Sequence, residues 1–331
     1  MYTARIAGVG HYVPEQIVNN FDLEKMMDTS DEWIQERSGI AERHWVKDGE
    51  NNLDLAEKAA LNALHQANME PEDIDFIIFA TLSPDYFFPG TGCLLQERMG
   101  FSTIGALDIR NQCSGFLYGL SIADQYIKTG MYKNILLVGS EVQSRGIDPS
   151  TEGRDVSVLF GDGAGAIVIT RSDDPHTGII GTHLHSEGKH AKELWCEDPG
   201  SIRNPRLTKE IIESRSIWPY MNGRYVFKHA VTRFPEVIME ALTSAGIDKS
   251  EVDLVIPHQA NQRITDAVRM RLELKEEQIY SNIKKYGNTT AASIPIAMSE
   301  AIAEGKITNG SLVCLAAFGS GFTWSSALVR F

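Results

Sequence analysis

The sequence predicts an α/β protein built from two similar halves, and three observations carry that expectation. Short apolar runs alternate along the chain with longer stretches of helical periodicity. The apolar runs are continuous rather than polar on every second residue, which is the pattern of strands buried on both faces. The second part of the chain also repeats features of the first at a spacing of about 175 residues.

The elements follow in order. A strand-like segment opens the chain, and an Ala-rich helical stretch follows at 53–68. The apolar run 76–80 and the segment 105–109 read as strands, and 113–129 as a helix. Strands follow at 135–138 and 166–169, then a helix at 232–246, a strand at 254–256 and helices at 260–273 and 289–304. Strands at 312–315 and 326–329 close the chain. The repeat is seen in Glu72-Asp73-Ile74-Asp75-Phe76-Ile77-Ile78 against Glu251-Val252-Asp253-Leu254-Val255-Ile256. It places one half at 1–171 and the other at 172–331. Counting back 17 residues from Gly130 reaches Cys113, and from Gly305 reaches Asn288, so these two are expected at equivalent strand-to-helix junctions. His258 ends a strand. Ends of strands are where α/β sheets place their sites.

Composition narrows the function. At 331 residues, 43% hydrophobic and 23% charged, the chain is long enough for two domains or one duplicated unit with an ample core. No apolar stretch is long enough to span a bilayer, so no membrane role is expected. Lys and Arg number 31 against 44 Asp and Glu, a net charge of −13. That balance argues against nucleic-acid binding, which rests on Lys and Arg neutralising phosphates. The four cysteines, Cys93, Cys113, Cys196 and Cys314, form no Cys-x-x-Cys pair. Neither a disulfide framework nor a metal site is expected, and with no secretory pattern at Met1-Tyr2-Thr3 the expectation is a reducing cytoplasm.

Three side chains could carry chemistry. Cys113 opens a helix, where the positive end of the macrodipole favours thiolate; alternatively it is a small buried hydrophobe. His258, in Pro257-His258-Gln259-Ala260-Asn261, reads alone as a satisfied core residue. Asn288, in Gly287-Asn288-Thr289, reads alone as a helix cap. Their co-location through the repeat favours a shared site. Gly161-Asp162-Gly163-Ala164-Gly165 leads into a strand and lacks a Lys-Ser/Thr ending, so it reads as close backbone packing and not as a phosphate loop.

These segments, with Asp28-Thr29-Ser30-Asp31-Glu32-Trp33-Ile34, Arg37-Ser38-Gly39-Ile40, Cys113-Ser114-Gly115-Phe116 and Phe318-Gly319-Ser320-Gly321-Phe322, resemble the β-ketoacyl-acyl carrier protein synthase III family of condensing enzymes over essentially the whole chain. The resemblance implies a thiolase-like, duplicated five-layered α-β-α-β-α fold. It implies that Cys113 takes an acyl group from acyl-CoA and that malonyl-ACP then decarboxylates and attacks it. The products are 3-oxoacyl-ACP, CoA and CO₂, with coenzyme A thioester as substrate and no cofactor. His258 and Asn288 become donors to the enolate, and the backbone amides of Cys113 and Gly321 a second oxyanion hole. Trp33, Arg37 and Arg154 correspond to CoA contacts. Phe88, Gln112, Gln143 and Phe160 correspond to the acyl pocket, with Phe88 reaching across a homodimer. Lys228, Arg263 and Arg271 correspond to docking positions for the acidic carrier protein.

Three departures from the family pattern bear on the primer: Asn111-Gln112 before the nucleophile, Gln143 at a commonly apolar position, and a long 186–226 segment. The apolar spacing of Leu207, Ile211 and Ile212 predicts a short helix there, an apolar cover that would extend the pocket for a medium-chain primer. The alternative to a starter of fatty acid synthesis is therefore a specialised condensing enzyme or acyltransferase of secondary metabolism.

Overall fold

Two sheets take up the apolar runs. The computed structural model describes residues 2–331. The first sheet holds β1 (Thr3–Tyr12), β2 (Phe76–Ala80), β3 (Gly105–Ile109), β4 (Asn134–Glu141) and β5 (Gly163–Ser172), in the order β1-β5-β4-β2-β3. The second holds β6 (Gly178–Ser186), β7 (Leu254–Pro257), β8 (Leu312–Gly319) and β9 (Thr323–Arg330), in the order β7-β8-β9-β6. β2 runs parallel to β3 and β4, and β7 parallel to β8; the other pairings are antiparallel.

The main helices are α1 (Asp31–Ser38), α2 (Asn52–Ala67), α3 (Gly115–Lys128), α4 (Gly223–Ala245), α5 (Gln262–Leu272) and α6 (Ser293–Ala303). Three apolar cores separate the layers. In β2, Phe76 and Ile78 face a central core shared with α3, α6 and the second sheet, while Ile77 and Phe79 face α2. In β8, Val313, Leu315 and Ala317 join the central core, while Leu312, Cys314, Ala316 and Phe318 pack under α4 and α5. Strands covered on both faces need continuous apolar sequence, which is why the runs do not alternate. The result is helix, sheet, helix pair, sheet, helix: the expected five layers. No helix among the described residues is long and apolar enough to cross a membrane.

Two expectations change in detail. The helix expected to start near 232 begins at Gly223, capped by the Asn222 side chain, and runs through Pro235. Proline leaves the carbonyl four residues earlier without its helical donor. That carbonyl, Val231 O, accepts a hydrogen bond from Arg271 at 3.0 Å. The pairing of Cys113 with Asn288 by counting also shifts. Gln112 (φ 44°) and Thr290 (φ 51°) each open a short 3₁₀ turn leading into α3 and α6. On that backbone match the counterpart of Cys113 is Ala291. The count fails because α6 has 11 residues and α3 has 14.

Candidate active site

Cys113, His258 and Asn288 all line one cavity of about 620 Å³. Each sits where the fold delivers a side chain. Cys113 lies in the turn after β3, against the end of β8; a Cβ on Gly319 would stand 3.0 Å from its sulfur, so β8 can approach only as glycine. Burial pushes the Cys113 thiol up to about 12, and the nearby Glu141 carboxylate adds to that; backbone hydrogen bonding at Cys113 and Ser320 works the other way. Desolvation thus opposes the thiolate that the helix terminus was expected to favour.

His258 follows β7. Its Nδ1 lies 2.6 Å from Ser293 Oγ, and its Nε2 is buried with no protein partner. Ser293 Oγ also accepts the Gln259 amide. With its hydroxyl donated to Nδ1, the imidazole proton is assigned to Nε2, beside the cavity that His258 lines. Burial holds His258 down at about 3, so the ring is neutral near pH 7.

Asn288 is fixed by backbone on both sides. Its amide donates to Leu159 O at 2.8 Å and its carbonyl accepts from Gly161 at 3.1 Å. A Cβ on Gly161 would sit 2.2 Å from Tyr286 O, so the glycine-rich segment brings two backbones together, as its sequence implied. Thr290 N donates to Asn288 Oδ1 at 2.9 Å, which turns Nδ2 into the free donor. Two neutral N–H donors and a thiol thus share one desolvated space, an arrangement suited to a carbonyl that gains negative charge.

Over residues 107–188 the chain matches the family described as 3-oxoacyl-[acyl-carrier-protein (ACP)] synthase III, and over 242–331 that family's C-terminal region. The β-ketoacyl-[acyl-carrier-protein] synthase III of Aliivibrio fischeri is 46% identical over 331 residues, all of both chains. That of Aquifex aeolicus is 46% identical over 327 residues, 99% of each chain. The chain belongs to the β-ketoacyl-ACP synthase III family. The crystal structure of the Aquifex aeolicus 3-oxoacyl-[acyl-carrier-protein] synthase III superposes with a TM-score of 0.91 at 45% identity, covering 99% of this chain and 100% of that one. The thiolase-like fold is thereby shared along the whole chain.

Of the other positions expected from the sequence, some gather at the cavity and some do not. Trp33, Arg37, Phe160 and Arg263 line it. Two guanidinium groups stand over the Trp33 ring, Arg37 at 4.5 Å and Arg154 at 5.3 Å from its centre. Gly321 lies in the turn between β8 and β9 beside Ser320. Phe88 is 80% exposed, outside the cavity lining of its own chain. Gln112 and Gln143 do not line it either; Gln143 is buried, with its amide bonded to Glu141 and Thr290. Arg271 is engaged at Val231, and Lys228 lies outside the lining. Sequence reasoning missed Ser293 and Thr290, and only their closeness to Asn288 along the chain hinted at them. Arg224 adds a further cation at the cavity.

Proposed function

We propose that this chain performs the decarboxylative Claisen condensation that starts fatty acid synthesis, joining a short acyl-CoA primer to malonyl-ACP. The observation that supports it best is the single cavity in which the Cys113 thiol meets the free donors of His258 and Asn288. Cys113 attacks the acyl-CoA carbonyl; the C–S bond to CoA breaks and the thiol proton leaves with CoA as its free thiol. The intermediate oxyanion is held by backbone amides around Cys113 and the 320–321 turn. Malonyl-ACP then loses CO₂, and His258 Nε2–H and Asn288 Nδ2–H stabilise the enolate oxygen. The enolate carbon attacks the acyl-cysteine, and Cys113 departs as thiolate and regains a proton.

CoA enters past Trp33 and Arg37. An aromatic base between Trp33 and Arg154 needs about 7 Å, two van der Waals layers. Arg154 stands at 5.3 Å, so it swings away from Trp33 and its Asp28 contact when CoA binds. The acidic carrier docks beside Lys228 and Arg263, with Arg224 adding to the patch. Arg271 contributes indirectly, by supporting the helix that carries Lys228. The working unit is a homodimer in which exposed Phe88 closes the partner's acyl pocket, and each chain is a duplicated unit divided near residue 171. Intact-mass measurement after incubation with acetyl-CoA, followed by addition of malonyl-ACP, tests the reading. Acetylation mapped to Cys113 and conversion to 3-oxobutyryl-ACP are expected; an adduct on Cys93, Cys196 or Cys314 overturns it.

A further inference from the structure

Beneath the wall formed by Cys113 and Asn288 lies a polar chain that the reaction above does not use. Glu141, Gln143 and Thr290 are at most 6% exposed. Gln143 Nε2 donates to Thr290 Oγ1 at 3.0 Å and to Glu141 Oε2 at 3.3 Å. We propose that Gln143 is a positioning residue for Asn288, acting through Thr290; this rests on reading Asn288 as the donor for decarboxylation.

The argument starts from the backbone of Thr290. Its φ of 51° lies in the left-handed region, which a β-branched residue rarely adopts without support. That conformation directs the Thr290 amide at Asn288 Oδ1, 2.9 Å away, and so frees Nδ2 for substrate. The Gln143 side chain is the group that ties the Thr290 hydroxyl in place. Gln143 is itself held at two other points. Its amide donates to Asp162 Oδ1 at 2.7 Å. Its side chain bonds Glu141, whose Oε2 also accepts from Ser83 Oγ at 2.6 Å and Thr81 Oγ1 at 3.1 Å. The β4 backbone meets the Thr290 turn with no space between them, since a Cβ on Gly139 would lie 2.6 Å from Ala291 O. Gln143 belongs to one half of the molecule and Thr290 to the other, so this bond sets how the Asn288 turn seats on the sheet that carries the nucleophile's neighbours. A glutamine serves here because one amide nitrogen supplies two donors, one for the carboxylate and one for the hydroxyl. A leucine or methionine fills the same space and supplies neither.

The test separates positioning from pocket lining. Gln143→Met keeps the length and removes the donors. Self-acylation by acetyl-CoA should stay near the wild-type rate, while kcat for malonyl-ACP decarboxylation by the acylated enzyme falls about tenfold with KM unchanged, the size of one lost hydrogen bond. Thr290→Val should do the same, Thr290→Ser should regain most of the rate, and the double variant should be no slower than either single one. If Gln143→Met does not fold, Thr290→Val carries the test. Equal losses in both half-reactions, losses that multiply in the double variant, or unimpaired decarboxylation overturn the proposal. Asn288→Ala in parallel keeps the failures apart. If it too decarboxylates normally, the reading of Asn288 falls; if it alone fails, only the role of Gln143 does.

Discussion

Ser293 Oγ lies 2.6 Å from His258 Nδ1 and also accepts the Gln259 amide. A hydroxyl donated to Nδ1 fixes the imidazole proton on Nε2. Without it, the neutral imidazole is free to place its proton on Nδ1, and Nε2 then offers a lone pair where the enolate needs a donor. Ser293→Ala should therefore lower malonyl-ACP decarboxylation about tenfold and leave transfer of the acetyl group to Cys113 little changed. Single-turnover measurement of the two half-reactions checks this, and equal losses in both would count against it.

Asn288 makes the complementary contribution. Its backbone is anchored at residues 159 and 161, and its side-chain oxygen by Thr290, so Nδ2 is the side-chain group left without a protein partner. Asn288→Ala should still become acylated yet release CO₂ about 10²–10³ more slowly, the usual loss for one oxyanion donor. Radiolabelled malonyl-ACP gives the rate directly.

Gly161 tests the scaffold behind that side chain. A Cβ there would come within 2.2 Å of Tyr286 O and 3.1 Å of the buried Arg43 Cβ. Neither can yield without moving the Asn288 turn. Gly161→Ala should cost about 1–3 kcal/mol of stability and should impair decarboxylation more than acylation. Thermal melts and the two half-reaction rates check both parts.

His258 also links stability to pH. Burial holds it at about 3 in the folded chain against 6.5 unfolded. The unfolded chain binds the extra proton first. Its contribution is thus fully present above pH 6.5 and is lost as pH falls from there towards 3, by at most ~1.4 kcal/mol per pH unit. Across the same range His258 stays neutral and keeps its donor role. A plot of melting temperature against pH should fall less steeply below pH 6.5 in His258→Gln than in the wild type.

Sequence carried the layers well because strands covered on both faces leave unbroken apolar runs, and α2 and α3 show clear periodicity. Cys113, His258 and Asn288 stood out because they are chemically capable residues at element ends. The supports did not stand out. Ser293 and Thr290 are ordinary hydroxyl residues in sequence, and their roles come from contacts across 35 and 147 positions. Gln143 was assigned to the acyl pocket because of what commonly stands there; its amide instead finds two polar partners. Arg271 was assigned to the carrier surface, where only the fold reveals that Pro235 leaves a carbonyl for it. Equivalent positions in the two halves were misaligned by counting, since helix lengths differ while the left-handed turns at Gln112 and Thr290 coincide.

The long 186–226 segment bears on the primer. Its short helix, Lys209–Glu213, forms where the spacing of Leu207, Ile211 and Ile212 predicts one. Yet Leu207 and Ile212 are 50% and 53% exposed, and neither lines the cavity. From that segment the apolar side chains at the cavity are Leu194, Met221 and Val226, beside the channel that leads to Cys113. Behind Cys113 and Asn288, Glu141, Gln143, Thr81 and Ser83 satisfy one another in a buried polar cluster that does not line the cavity. A long acyl tail gains about 0.8 kcal/mol for each buried methylene only where apolar space exists to bury it, and extending one into this cluster would strip buried polar groups of partners. Self-acylation should accordingly show a higher kcat/KM with acetyl-CoA than with octanoyl-CoA. The helix at 209–213 stands off the cavity, so Ile212→Ser should leave that ratio unchanged. A preference for octanoyl-CoA that Ile212→Ser abolishes would instead place the segment over the acyl chain.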